Sequence, residues 1–238
     1  MIYLYAIIDR PGLVFPSLSG LENAPVSQLV VGKIAGVFAS LPSGITPTSL
    51  TVDEENLWKH ESVLEVLMLD HSLLPLRYGT FFENTSELLD LLEKKYDRFA
   101  ADLLRVEGCV ELSLHLKYPE ETLLQSVLPE SSQEILQKPT INGKEYMQTL
   151  MNKRNQENAT QLKLTTEFRD LLEKLNLMVI ESTQSITLDP LPNLKAAFLI
   201  HKKNLPDFQQ EVETLSNSRK DLKFALTGPW PPYSFITN

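Results

Sequence analysis

The segment Gly228-Pro229-Trp230-Pro231-Pro232-Tyr233-Ser234-Phe235-Ile236-Thr237-Asn238 constrains the fold of this chain more than any other. Proline fixes φ at about −65° and removes a backbone donor, so Pro229, Pro231 and Pro232 cannot sit in a central strand or a helix interior. The segment is therefore expected to be extended. Trp230, Tyr233 and Phe235 carry apolar faces that a frayed end would leave in water, so they are expected to dock on the body of the chain or on a partner. Proline also lowers the entropy lost on docking, which favours an intramolecular staple.

A chain of 238 residues can bury one large core or two modest ones, and the usual ~100–200 residues per domain favours two. With 42% hydrophobic and 22% charged residues, disorder along most of the length is not expected. The net charge of −9 argues against a nucleic-acid backbone or an anionic membrane as partner, and points to a neutral or basic protein. Cys109 is the single cysteine, which excludes an intrachain disulfide and a multi-cysteine zinc site and fits a reducing cytoplasm. The opening MIYLYAIIDRPG lacks a basic leader, and Asp9 and Arg10 interrupt its apolar run, so neither a signal peptide nor a membrane span is expected.

Ile2 to Ile8 is a continuous apolar run bounded by Pro11-Gly12, which reads as a buried strand. Leu29–Val31 and Ile34–Ala39, separated by Gly32-Lys33, read as a hairpin. Thr51 precedes Glu54 by a capping-box spacing, and Leu57, Glu61, Leu64, Leu67, Met68 and His71 follow at helical spacing, up to Pro75. Leu76 to Phe82 reads as another strand. Asn84 and Glu87 repeat the capping spacing ahead of a helix marked by Leu88, Leu91, Leu92, Tyr96, Phe99 and Leu103 and stopped by Gly108. Val110, Leu112, Leu114, Leu116 and Tyr118 alternate with Glu111, Ser113, His115 and Lys117, the pattern of a strand with one face wet or covered by something polar.

This order predicts an α/β (α+β) protein of two domains, the first over 1–118 as a ferredoxin-like open-faced sandwich with an added hairpin. The second, 119–238, begins with a connector from Pro119 to Pro139. A long helix capped by Thr140 follows, whose middle, Asn152 to Gln161, has no face that a core could use. Leu177–Ile186, Leu194–His201 and Leu222–Leu226 read as strands, and Phe208, Val212 and Leu215 as a helix.

No catalytic machinery is visible. His60, His71, His115 and His201 share no metal-ligand spacing, so no metal site is expected. His71 beside Asp70 reads as a helix-end histidine, and Asp53, Glu54 and Glu55 as first-turn carboxylates opposing the helix dipole. The phosphate-loop, dinucleotide and nucleophile-elbow strings are absent, and Cys109 reads as a small core residue. In Leu74-Pro75-Leu76-Arg77-Tyr78-Gly79-Thr80-Phe81-Phe82, alternation would set Arg77 and Gly79 on one strand face and Tyr78 and Phe82 on the other. There Arg77 is either an anion anchor in an interface or, the preferred reading, half of an internal salt bridge, and Gly79 permits close backbone approach.

The string TGPWPPYSF at 227–235 closely resembles the carboxy-terminal signature of the gas vesicle protein F/L family. MIYLYAIID, LPLRYGTFF at 74–82 and GCVELSLHL at 108–116 are similar to the same family, which spans essentially the full chain. The resemblance implies an accessory protein without enzymatic activity or cofactor, a minor vesicle component that takes part in vesicle formation and its nucleation, within the cytoplasm. Its implied partners are the small hydrophobic shell protein, gas vesicle protein A (GvpA), and other vesicle accessory proteins. The implied fold pairs a ferredoxin-like domain with a modified ferredoxin-like α/β domain containing a long helix. Arg77, Tyr78, Gly79, Gly228, Pro229, Trp230, Pro231, Pro232, Tyr233 and Phe235 are the structural or interface candidates. The competing classes are a generic protein-interaction adaptor and an α/β enzyme with a polar concave site.

Overall fold

A computed structural model of the chain describes residues 1–9, 18–47, 52–118, 165–187 and 193–236, with positions 11, 50, 147, 148, 151 and 162. The chain has a mixed α/β fold in two compact units, Met1–Glu111 with Pro229–Asn238, and Leu112–Gly228. Pro229–Asn238 thus belongs to the first unit, although the whole second unit precedes it in sequence.

The first unit is built on β1 (Ile2–Asp9), which is buried at every position from Ile2 to Ile8, as a strand covered on both faces must be. It pairs antiparallel with β3 (Ile34–Ser40), β4 (Leu73–Pro75) and β5 (Phe81–Phe82), and β2 (Val26–Val31) joins β3 through the expected hairpin at Gly32-Lys33, giving the order β2-β3-β1-β4. Tyr3, Tyr5, Ala35, Val37 and Ala39 share a core with Val63, Leu64 and Leu67 of α1 (Glu54–Asp70). On the opposite face α2 (Thr85–Lys94) presses Leu88 and Leu92 against Gly36, where an added Cβ would meet both side chains at 3.3 to 3.5 Å.

Helix ends follow local chemistry. Asn84 Oδ1 accepts from the amides of Ser86 and Glu87 at 2.9 and 3.1 Å, the cap that its spacing predicts, while Glu87 reaches back at 2.9 Å to the amide of Glu83, one residue before the cap. For α1 the cap is Asp53, whose Oδ1 accepts from Asn56 N at 2.9 Å; Thr51 lies outside the described residues. The helix stops at Asp70 rather than Pro75, capped by His71, whose Nδ1 lies 3.0 Å from the Asp9 carbonyl. The second helix breaks at Lys95 into α2 and α3 (Tyr96–Arg105). Of the strand expected over Leu76–Phe82 only Phe81–Phe82 is strand, as β5; β4 ends at Pro75, and residues 76–80 form the turn between the two.

The second unit carries the four-stranded sheet β7-β8-β6-β9, with β6 (Cys109–Lys117), β7 (Glu181–Thr187), β8 (Asn193–His201) and β9 (Lys223–Trp230). Phe168, Leu172 and Leu175 of α4 (residues 165–176) and Phe208, Val212 and Leu215 of α5 (Leu205–Ser218) are buried, and Phe198 of β8 packs on Phe208 at 5.1 Å between ring centroids. Arg219 binds Asp221 at 2.7 Å and Glu167 at 3.4 Å, and Tyr118 donates to Glu167 at 2.7 Å. β9 is an edge strand, which accommodates Pro229 near its end. The connector Pro119–Pro139 and the polar stretch Asn152–Gln161 lie outside the described residues.

Candidate functional site

The sequence candidates of the first unit converge where the closing segment crosses α1, α3 and the start of β6. After Trp230 the chain does not stay extended: Tyr233–Phe235 is one 3-10 turn, with Phe235 N donating to the Pro232 carbonyl at 3.2 Å. Three successive residues each grip a different element. Tyr233 Oη donates to Glu61 Oε1 of α1 at 2.9 Å. Ser234 donates to the Glu111 carboxylate of β6 through its amide and its hydroxyl, both at 2.8 Å. The Phe235 carbonyl accepts from Arg105 Nη2 of α3, and the Phe235 ring is buried.

Beneath the turn lies His60, 1% exposed. Tyr233 has a single proton and spends it on Glu61, so towards His60 Nε2, 3.2 Å away, it can only accept. The imidazole is therefore the Nε2–H tautomer, and Nδ1 accepts from Tyr3 Oη at 2.8 Å. Tyr3 in turn accepts from the Gly79 amide at 3.3 Å. A single directed chain of hydrogen bonds runs from the turn after β4 to a carboxylate of α1. Aromatic rings pack around it, with Tyr5 stacked on His60 at 5.6 Å and Tyr78 edge-on at 5.9 Å.

Burial sets the protonation of this chain. It lowers the His60 pKa to about 4, against a smaller opposing pull from the Leu76 backbone. It raises Tyr3 and Tyr233, the latter further through the Glu61 charge, and pushes Tyr5 up to about 12. Glu61 is raised by burial despite the Tyr233 hydrogen bond, and Glu111 by burial despite both Ser234 bonds. Imidazole and phenols are thus held neutral, and each shares its proton with the next member of the chain.

Beside the network, Ile7, Leu74, Pro75, Leu76, Phe99, Tyr233 and Ile236 wall an apolar cleft of about 320 Å³ that Arg77 also lines. Among the described residues Arg77 makes no ion pair, and its side chain is exposed, because the chain leaves the sheet at Pro75 and turns. The turn is closed by Thr80 Oγ1 donating to the Arg77 carbonyl at 2.7 Å. Gly79 serves that turn and not close approach, since its φ is +88° and only Phe81 comes within 4.0 Å of an added Cβ. Gly228, with φ +115°, reorients the chain just before Pro229. Pro231 and Pro232 are buried, whereas Pro229 is exposed and Trp230 is 38% exposed, so the staple rests on Tyr233 and Phe235.

Sequence reasoning missed His60, Tyr3, Glu61, Glu111 and Arg105. One signal was present: Tyr3 and Tyr5, two residues apart in an otherwise apolar run, bring two hydroxyls into a core where each needs a partner. Among the described residues no cluster of three or more His, Cys, Asp or Glu could hold a metal ion. None of their helices is long and apolar enough to cross a membrane.

A family model described as "Gas vesicle synthesis protein GvpL/GvpF" matches residues 1–237. Gas vesicle protein L of Streptomyces sp. (strain CB03234) is 27% identical, covering 98% of this chain and 91% of its own. Gas vesicle protein F of the same strain is 22% identical over 98% of both chains. The fold is that of the crystal structure of gas vesicle protein GvpF from Anabaena sp. PCC7120, with a TM-score of 0.84 at 20% identity over 100% of this chain and 99% of that one. The GvpF structure from Microcystis aeruginosa gives a TM-score of 0.78 at 22% identity over 98% of each chain.

Proposed function

Because the chain belongs to the GvpL/GvpF family of gas vesicle synthesis proteins, we propose that it is a vesicle accessory protein that binds the shell protein GvpA in the cytoplasm and assists vesicle formation at nucleation. The observation that carries this reading is the family match across residues 1–237, not over one unit alone. A shell subunit rich in apolar surface has to be held before it assembles, and its holder needs apolar contact surface on an otherwise charged body. A net charge of −9 supplies the charged body. The closing segment, with Tyr78 and the turn at Gly79, contributes by completing and stabilising the first unit.

The test is co-expression of the full-length chain with GvpA, followed by purification and titration of the complex. A saturable, stoichiometric complex is expected. A chain that leaves GvpA to aggregate as it does alone would sink the shell-binding reading.

A further inference from the structure

Helix α1 is apolar on two sides. Its inner residues Val63, Leu64 and Leu67 are buried on the sheet, while Trp58, Val66 and Leu69 stand 64%, 43% and 76% exposed. Positions 58, 62, 66 and 69 follow at steps of four, four and three, which aligns them in one stripe along the outer face, about 16 Å long at 1.5 Å per residue. Ser62, within the stripe, turns its hydroxyl back to the Lys59 carbonyl at 2.9 Å and asks nothing of an outside group. Single exposed apolar residues are ordinary on protein surfaces; a row containing a tryptophan marks an interface.

The edges of the stripe are acidic. Glu54, Glu55, Glu65 and Asp70 are all exposed, and the one lysine or arginine of the helix, Lys59, is paired with Glu55 at 3.2 Å. We infer that the outer face of α1 docks an amphipathic helix of a partner protein, whose apolar stripe covers Trp58, Val66 and Leu69 and whose lysines or arginines lie along the glutamates. A straight stripe at this spacing matches helix-on-helix packing. The acidic edges select a basic partner and would repel an anionic membrane. In a two-fold pairing of two copies the same edges would bring glutamates against glutamates. The inference goes beyond the shell-binding reading and holds whichever protein supplies the helix.

The experiment uses the full-length chain carrying Trp230→Phe, which leaves Trp58 as the only tryptophan. It is titrated with a synthetic helical peptide bearing leucines at the same steps edged by lysines, and with the same peptide edged by glutamates, while fluorescence and sedimentation are followed. A saturable blue shift with the lysine-edged peptide is expected, at least about tenfold weaker with the glutamate-edged one. Leu69→Ser and Glu65→Lys, both at exposed positions, are each expected to weaken binding by about tenfold with unchanged melting. Equal binding of the two peptides, no binding of either, or indifference to Leu69→Ser overturns the inference. So does a free protein that sediments as a dimer and that Leu69→Lys makes monomeric. Because the peptides contain no vesicle protein, failure here leaves GvpA binding standing, and loss of GvpA binding leaves this result standing.

Discussion

His60 makes the stability of the first unit depend on acid. The unfolded chain takes up a proton near the usual 6.5, but the folded chain not until about 4. The His60 contribution is therefore fully present above pH 6.5 and is lost as pH falls through about 4, a change of about 3 kcal/mol. Glu61 and Glu111 act oppositely, since burial raises them above their usual 4.5 and the folded chain holds their protons longer as pH rises. Urea unfolding of wild type and His60→Phe at pH 4 and pH 7 separates these effects. The loss of stability between pH 7 and pH 4 is expected to be about 3 kcal/mol smaller in the variant, and parallel profiles would show that His60 titrates normally. Phe235, 3% exposed, and Trp230, 38% exposed, predict a second contrast. Phe235→Ala is expected to cost about 3–5 kcal/mol and Trp230→Ala much less, and the reverse order in denaturant midpoints would relocate the staple to Trp230.

At the scale of elements, the helix starts are the clearest case of local chemistry deciding structure. Asn84→Ala is expected to lower stability by about 1 kcal/mol, while Asn84→Asp, which keeps the acceptor, should leave the denaturant midpoint close to wild type. That cap, the β2–β3 hairpin, the buried β1 and α5 were legible because capping, turn and periodicity signals lie within a few residues of one another. What escaped was non-local. Glu111 sits on the polar side of an alternating strand, and only Ser234, more than a hundred residues later, turns that position into a buried anchor. Pro75 reads as a helix stop when it lies in β4, because pairing with β1 outweighs the local signal. The tail was legible as something that must dock, but not as a three-point grip, since nothing near it names His60, Glu61 or Arg105.

The whole chain passes through its first unit twice, as Met1–Glu111 and again as Pro229–Asn238. A fragment of residues 1–118 lacks the groups that meet Glu61, Glu111 and Arg105. It is expected to unfold at lower urea than the same unit in the intact chain, and a peptide of residues 229–238 added to it should restore part of the difference. An unchanged midpoint would mean that the grip contributes little. The two-pass layout also orders events during synthesis. Translation at roughly 5–20 residues per second puts on the order of ten seconds between Glu111 and Ser234 reaching the ribosome's catalytic centre. Through that interval the nascent first unit carries an unmet Glu111 and an uncovered Phe235 pocket. A chain released before Pro229 is expected to leave its first unit open, and limited proteolysis of residues 1–118 against the intact chain checks this, equal digestion counting against it.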